Sequence, residues 1–167
     1  DGAIDVERFA KVMWMATRVG TGGKYDGQGK YALGGNADEE IQKPDTAAVG
    51  TTVANNAYAE LDITGETVYT LFKIKPSVAS WVRLYVDDAS RQLDATRSEG
   101  EDPLPGSGVV AEVRTTGANQ EVLITPGVMG FNNDSPTRTK KIYVAINNRS
   151  GSAATVTVPL TILKLGE

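Results

Sequence analysis

The chain has 167 residues, with 17 Lys and Arg against 21 Asp and Glu, a net charge of −4, and neither His nor Cys. That length suits one domain, and mild acidity without a basic block speaks against nucleic acid as a partner, because phosphate neutralisation needs clustered Lys and Arg. The missing His and Cys exclude disulfides, thiolate nucleophiles, Ser-His-Asp machinery and the usual zinc sites, leaving carboxylate, Lys and Tyr chemistry and oxygen-ligand metal sites.

A hydrophobic fraction of 40% with 18 Gly and frequent Thr and Val points to a folded, turn-rich β protein. No apolar run approaches the roughly 20 residues of a membrane span, so no membrane partner is expected. Asp1, Asp5 and Glu7 stand where a signal peptide would carry its basic region, so no targeting segment is expected there.

Residues 5–18, DVERFAKVMWMATR, predict a short helix. Asp5 suits an N-cap, and Val6, Phe9, Met13 and Ala16 recur at helical spacing. A strand competes, because VMWMATRV carries several β-preferring residues. In either form Phe9, Val12, Met13, Trp14 and Met15 make a dense apolar cluster that has to be buried against something.

Residues 20–35 hold seven Gly in sixteen, too many for a helix and too few side chains for a core. They read as a loop, or as an extended arm that orders against a partner with Tyr25 and Tyr31 as anchors. The Gly-Lys-Ser/Thr ending of a phosphate-binding loop is absent. The division is accordingly an N-terminal arm or linker over 1–55 and a β domain over 56–167.

Period-two alternation governs the second part. It predicts strands at 57–63, 67–75, 80–87, 109–114, 120–125, 141–147 and 155–165, each with one buried and one exposed face. Strand 67–75 aligns Val68, Thr70, Phe72 and Ile74 on one face. Strand 80–87 places Val82, Leu84 and Val86 on one face and Trp81, Arg83 and Tyr85 on the other. Val109, Ala111 and Val113, then Ile142, Val144 and Ile146, then Val156, Val158, Leu160 and Ile162 point inward. Pro159 cannot donate to a ladder, so the last strand is expected at an edge or bulged there. Seven half-buried strands joined by Gly, Pro and Ser turns predict an all-β fold, an antiparallel β-sandwich of jelly-roll or immunoglobulin-like type.

The longest break is 87–107, DDASRQLDATRSEGEDPLPGS, whose six acids and two Arg give −4. A short helix is expected over 88–97, capped by Asp88. Asp87, Asp88, Asp94, Glu99, Glu101 and Asp102 offer the hard oxygen ligands that calcium takes, but not at EF-hand spacing. A solvated acidic loop, with Arg91 and Arg97 pairing to the acids, is the simpler reading, and no metal or cofactor is expected. Glu60, Asp62, Asp87 and Glu112 lie at or near strands, yet no spacing marks a glycosidase pair, so no enzyme is expected. Trp81, Arg83 and Tyr85 alternate on one strand face. They either form a ligand platform that stacks on sugar or pack beneath the 87–107 segment.

The stretch WVRLYVDDASRQLDATRSEGEDPLPGSGVVAEVRTTG at 81–117 and the closing VLITPGVMGFNND…IYVAINNRSGSAATVTVPLTILKLGE resemble a type of tailed-bacteriophage virion protein. In that type a WVRLY-like strand leads into an acidic Ala-Ser-Arg segment. A DP-x-PG-x-G turn, a VVAEV-like strand and an N-x-SG turn before a Val/Thr-rich strand follow. The resemblance covers 56–167 and is compositional. It implies a structural component of the tail, neck or capsid surface, assembled in the host cytoplasm, with other copies of itself and other virion proteins as partners. The N-terminal region would be the means of attachment. A carbohydrate-binding module that touches host-surface polysaccharide is the alternative.

Overall fold

The computed structural model describes residues 24–25, 31–32, 45–47 and 50–165. The chain divides into two compact units, Asp1–Ile41 and Gln42–Glu167. The segment 5–18, with Phe9, Val12, Met13, Trp14 and Met15, lies outside the described residues. In the first unit β1 (Lys24–Tyr25) pairs antiparallel with β2 (Tyr31–Ala32), which sets Tyr25 opposite Tyr31.

The second unit is the β-sandwich. Its strands are β3 (Asp45–Ala47), β4 (Gly50–Val53), β5 (Tyr58–Thr64), β6 (Val68–Ile74), β7 (Ser80–Tyr85), β8 (Val109–Arg114), β9 (Val122–Phe131), β10 (Lys141–Asn148), β11 (Ala154–Thr157) and β12 (Leu160–Lys164). Helix α1 (Asp88–Leu93) follows β7. Sheet one has the order β5-β10-β7-β8, sheet two β3-β12-β6-β9, and β11 and β4 form a ribbon. Apart from β7 and β8, consecutive strands lie in different sheets, so most pairing joins residues far apart in sequence.

The core forms between the two inner faces. Leu61, Ile63, Val82, Leu84, Ile142, Val144 and Ile146 from sheet one meet Tyr69, Leu71, Ile74, Leu160 and Ile162 from sheet two. Val82, Leu84, Val144, Ile146, Val156 and Val158 are fully buried, as alternation requires. Gly130 sits opposite Tyr69 in the β6–β9 ladder, and a Cβ there would land inside the Tyr69 ring. The missing side chain is what lets that ring lie in the core.

Four expectations are corrected. Strands of the sandwich lie before residue 56, because β3 pairs with β12 and β4 with β11. The run 155–165 is two strands, and the chain leaves the ribbon for sheet two at Val158-Pro159, where the Pro159 carbonyl accepts from the Lys75 amide at 3.0 Å. On β6 the buried residues are Tyr69, Leu71 and Ile74, not Val68, Thr70 and Phe72. The ladder jumps from Leu71–Val128 to Lys73–Leu123, and such a bulge shifts the alternation by one residue. For the same reason β9 runs on through Pro126-Gly127 to Phe131, where a turn was expected.

Candidate functional site

Sheet one has a polar outer face, and the register sets it in rows. Asp62, Tyr143 and Tyr85 form one row, Glu60, Ala145, Arg83 and Glu112 the next, and Tyr58, Asn147, Trp81 and Arg114 the third. This face is roofed. Helix α1 lies over β7 and β10, Asp94 just after it bonds to Arg83 and Tyr85, and every residue of β7 is buried. Trp81 is 2% exposed, Arg83 0% and Tyr85 1%. These three do come together, but beneath a roof, and as a stacking platform for sugar they are closed.

The roof starts at a cap. Asp87, not Asp88, is the N-cap of α1, its carboxylate accepting from the Ser90 amide at 2.7 Å. The helix ends at Leu93 and not at Arg97, because the Asp94 side chain turns into the sheet. Burial pushes the Asp87 carboxyl up, but the bonds from Ser90 and Asn133 outweigh it and hold the group below the ordinary carboxylate value.

Asp94 is the centre of the buried network. Its Oδ2 accepts from the Tyr85 hydroxyl at 2.6 Å and lies 3.4 Å from Arg83 Nη1, while its Oδ1 accepts from Arg97 Nε at 2.8 Å. Arg83 also donates to the Asp94 carbonyl at 3.2 Å and to Asn147 Oδ1 at 2.8 Å, and its guanidinium stacks 3.7 Å from the Trp81 ring centre. Arg97 continues to Glu112 Oε2 at 2.6 Å, and Glu112 Oε1 accepts from the Trp81 indole N–H at 2.7 Å. Burial raises the Asp94 carboxyl, yet the bonds from Arg97 and Tyr85 and the charges of Arg97 and Arg83 hold it below the usual range. Burial, and then the bond to Asp94, push the Tyr85 hydroxyl well above its ordinary value. Asp94 therefore persists as a carboxylate and Tyr85 as a phenol.

Arg91 makes the second anchor. It reaches from α1 to Asp62 Oδ1 at 2.9 Å and the Leu61 carbonyl at 3.1 Å, and it pairs with Asp88 and Glu60. Its guanidinium lies 5.0 Å from the Tyr143 ring centre, a cation–π distance. Burial raises Asp62, but bonds from Lys141 and Arg91 prevail and depress it. Further along the roof Glu99 pairs with Arg114 and Arg149, and Glu101 accepts from the Ser98 amide at 3.0 Å.

Asp87, Asp88, Asp94, Glu99 and Glu101 are therefore dispersed among a helix cap, arginines and a turn, and Asp102 is exposed. Among the described residues no group of three or more Asp and Glu is arranged to hold a metal. The carboxylates weighed for hydrolysis are engaged as well. Glu60 accepts from Tyr58 and Gln92, both at 3.0 Å, Asp62 is held by Arg91 and Lys141, and Glu112 by Trp81 and Arg97. Sequence reasoning missed Asp94 as the shared acceptor and Asn147 as the second acceptor for Arg83. The available signal was that 142–146, Ile-Tyr-Val-Ala-Ile, is apolar at successive positions, which marks a strand covered on both faces.

Sheet two differs. Among the described residues its outer face carries Leu123, Met129 and Phe131 at 63%, 66% and 43% exposure, with Leu165 at 48%. Sequence alone does not single these out, because Pro126-Gly127 has the composition of a turn that ends the strand. Among the described residues no helix is long and apolar enough to cross a membrane. No protein-family model, no curated protein and no solved structure matches the chain.

Proposed function

We propose that this chain is a non-catalytic structural component of a tailed-phage virion that attaches to neighbouring subunits through its N-terminal region. The observation that carries the reading is the Arg83–Asp94–Arg97–Glu112 lattice. The acidic segment on which the phage resemblance rests is fastened to the sheet as internal bracing and covers Trp81, Arg83 and Tyr85. Catalysis by carboxylates favours one group whose pKa is raised toward neutrality. Here Asp62, Asp87, Asp94 and Asp134, the displaced carboxylates among the described residues, are all displaced downward. A braced block suits repeated packing in a particle, and the absence of Cys suits assembly in a reducing cytoplasm followed by life outside the cell. Its partners are then other copies of itself and other virion proteins.

Attachment falls to the apolar cluster at 9–15. Burying five large side chains yields roughly 1.5–3 kcal/mol each before ordering costs, enough to offset the entropy of fixing a short segment. The test places Met13→Asp with Trp14→Asp in the full chain, on virions produced from the genome that encodes it. The expected result is a variant with unchanged thermal unfolding that is missing from purified particles. A doubly substituted chain incorporated at the normal level would overturn the assignment of attachment to this segment.

A further inference from the structure

The two outer faces of the sandwich are finished differently. Sheet one is roofed by α1 and the braced segment, whereas sheet two presents large apolar side chains. The register places Phe131 beside Val68, Met129 beside Thr70 with Leu163 on the far side, and Leu123 beside Lys73. Strand β9 carries no charge over its ten residues. The other outermost strands of the two four-stranded sheets do: Glu60 and Asp62 on β5, Glu112 and Arg114 on β8, Asp45 on β3. Charge on outermost strands is the common device against unwanted association, and β9 lacks it. Its edge is nonetheless poorly suited to adding a strand, because Pro126 has no N–H to donate and the ladder is bulged from 124 to 127. What is open is the face. Its rim is polar, with Lys73 Nζ 3.1 Å from Glu121, which is the arrangement of an interface core and rim.

We infer that this face, centred on Leu123, Met129 and Phe131, receives the apolar segment Phe9–Met15 of a second copy of the chain. The inference rests on the attachment reading above and supplies its acceptor. Three features select that occupant. The segment has five large apolar side chains and a single charge, Lys11, in seven residues, which matches an uncharged apolar floor. The chain upstream joins the sandwich at β3, a strand of the same sheet two. Thirty positions separate Met15 from Asp45. Leaving out 24–32, which holds the β1–β2 pair, roughly 20 residues have a maximum contour of about 70 Å at about 3.3 Å each, near twice the roughly 35 Å diameter of such a domain. Reach to a neighbour is therefore ample. A donor segment and a different acceptor face on each copy make the contact heterologous, so copies close into rings or extend as a helical array.

The test uses the full chain with the photo-reactive residue p-benzoylphenylalanine at position 14, mixed in equal parts with ¹⁵N-labelled chain of the same kind. After irradiation and trypsin, the expected products join position 14 to the peptide 115–138 of a differently labelled copy. The companion variant Leu123→Glu with Met129→Glu changes exposed side chains, with the thermal midpoint as its folding control. It should weaken self-association by about tenfold or more. Cross-links between copies that fall elsewhere overturn this acceptor and leave N-terminal attachment standing. Cross-links confined within one copy, or none, overturn both, and unaltered self-association of the double variant overturns the acceptor.

Discussion

Asp94→Asn removes one charge and little volume at the centre of the roof. Arg83, with no exposed surface, loses its only close anion among the described residues and keeps the Asp94 carbonyl at 3.2 Å and Asn147 at 2.8 Å. Tyr85 and Arg97 lose a charged acceptor at 2.6 and 2.8 Å. Breaking a buried pair by removing one partner costs about 3–5 kcal/mol. Asn still offers one carbonyl oxygen, so the lower end applies, about 3 kcal/mol. At about 2–4 °C per kcal/mol for a chain of this size, the thermal midpoint should fall by roughly 6–12 °C. Scanning calorimetry reads that fall, and hydrogen exchange should show faster amide exchange over 94–107 than over β10. Removing both charges with Arg83→Met and Asp94→Leu should recover most of the loss, since well-packed apolar replacements of buried pairs are often neutral. A loss below about 0.5 kcal/mol for Asp94→Asn, the range of an ordinary surface change, would falsify the bracing argument.

Three further outcomes follow from the same contacts. Asp62, Asp87, Asp94 and Asp134 are held below the ordinary carboxylate value when folded, so the unfolded chain binds more protons in acid. Their stabilisation is present above the unfolded value of about 4 and is lost as pH falls below it through the folded values. Urea midpoints should therefore be level from pH 6 to 8 and drop below about pH 4, less steeply in Asp94→Asn; a midpoint that rises on acidification contradicts this. Gly130→Ala drives a methyl into the Tyr69 ring and should cost about 1–3 kcal/mol by overpacking, measured by urea titration, while an unchanged midpoint contradicts the close approach. Calcium or chelator should leave both the thermal midpoint and tryptic cleavage after Arg97 unaltered, because Asp88, Asp94 and Glu99 are already paired with arginines.

Alternation located the core positions of β7, β10, β11 and β12, because Val, Leu and Ile recur there at every second position. It failed on β6 and β9, where a bulge opposite Thr125–Gly127 breaks the phase, and that bulge is a property of the paired strands and not of either segment. Strands β3 and β4 are too short, and too rich in Gly and Thr, to show a pattern. The roof was half legible. Arg91 and Arg97 were expected to pair with nearby acids and do so. That Asp94 meets Arg83 and Tyr85 depends on α1 folding back across β7, a tertiary contact with no local signature. Alternating Trp81, Arg83 and Tyr85 fit a sugar platform and a covered strand equally well, and burial decides for the covered strand. The apolar outer face of sheet two escaped notice because Pro126-Gly127 resembles a turn.

Quantitative mass spectrometry of washed virions, produced from the genome that encodes this chain, tests the structural role most directly. The account expects a fixed number of copies per particle that survives high salt, a multiple of three or six for a station on the tail axis and hundreds for the capsid surface. Particles that are complete and infectious with none of this chain, or with an amount that falls steadily on washing, would contradict it.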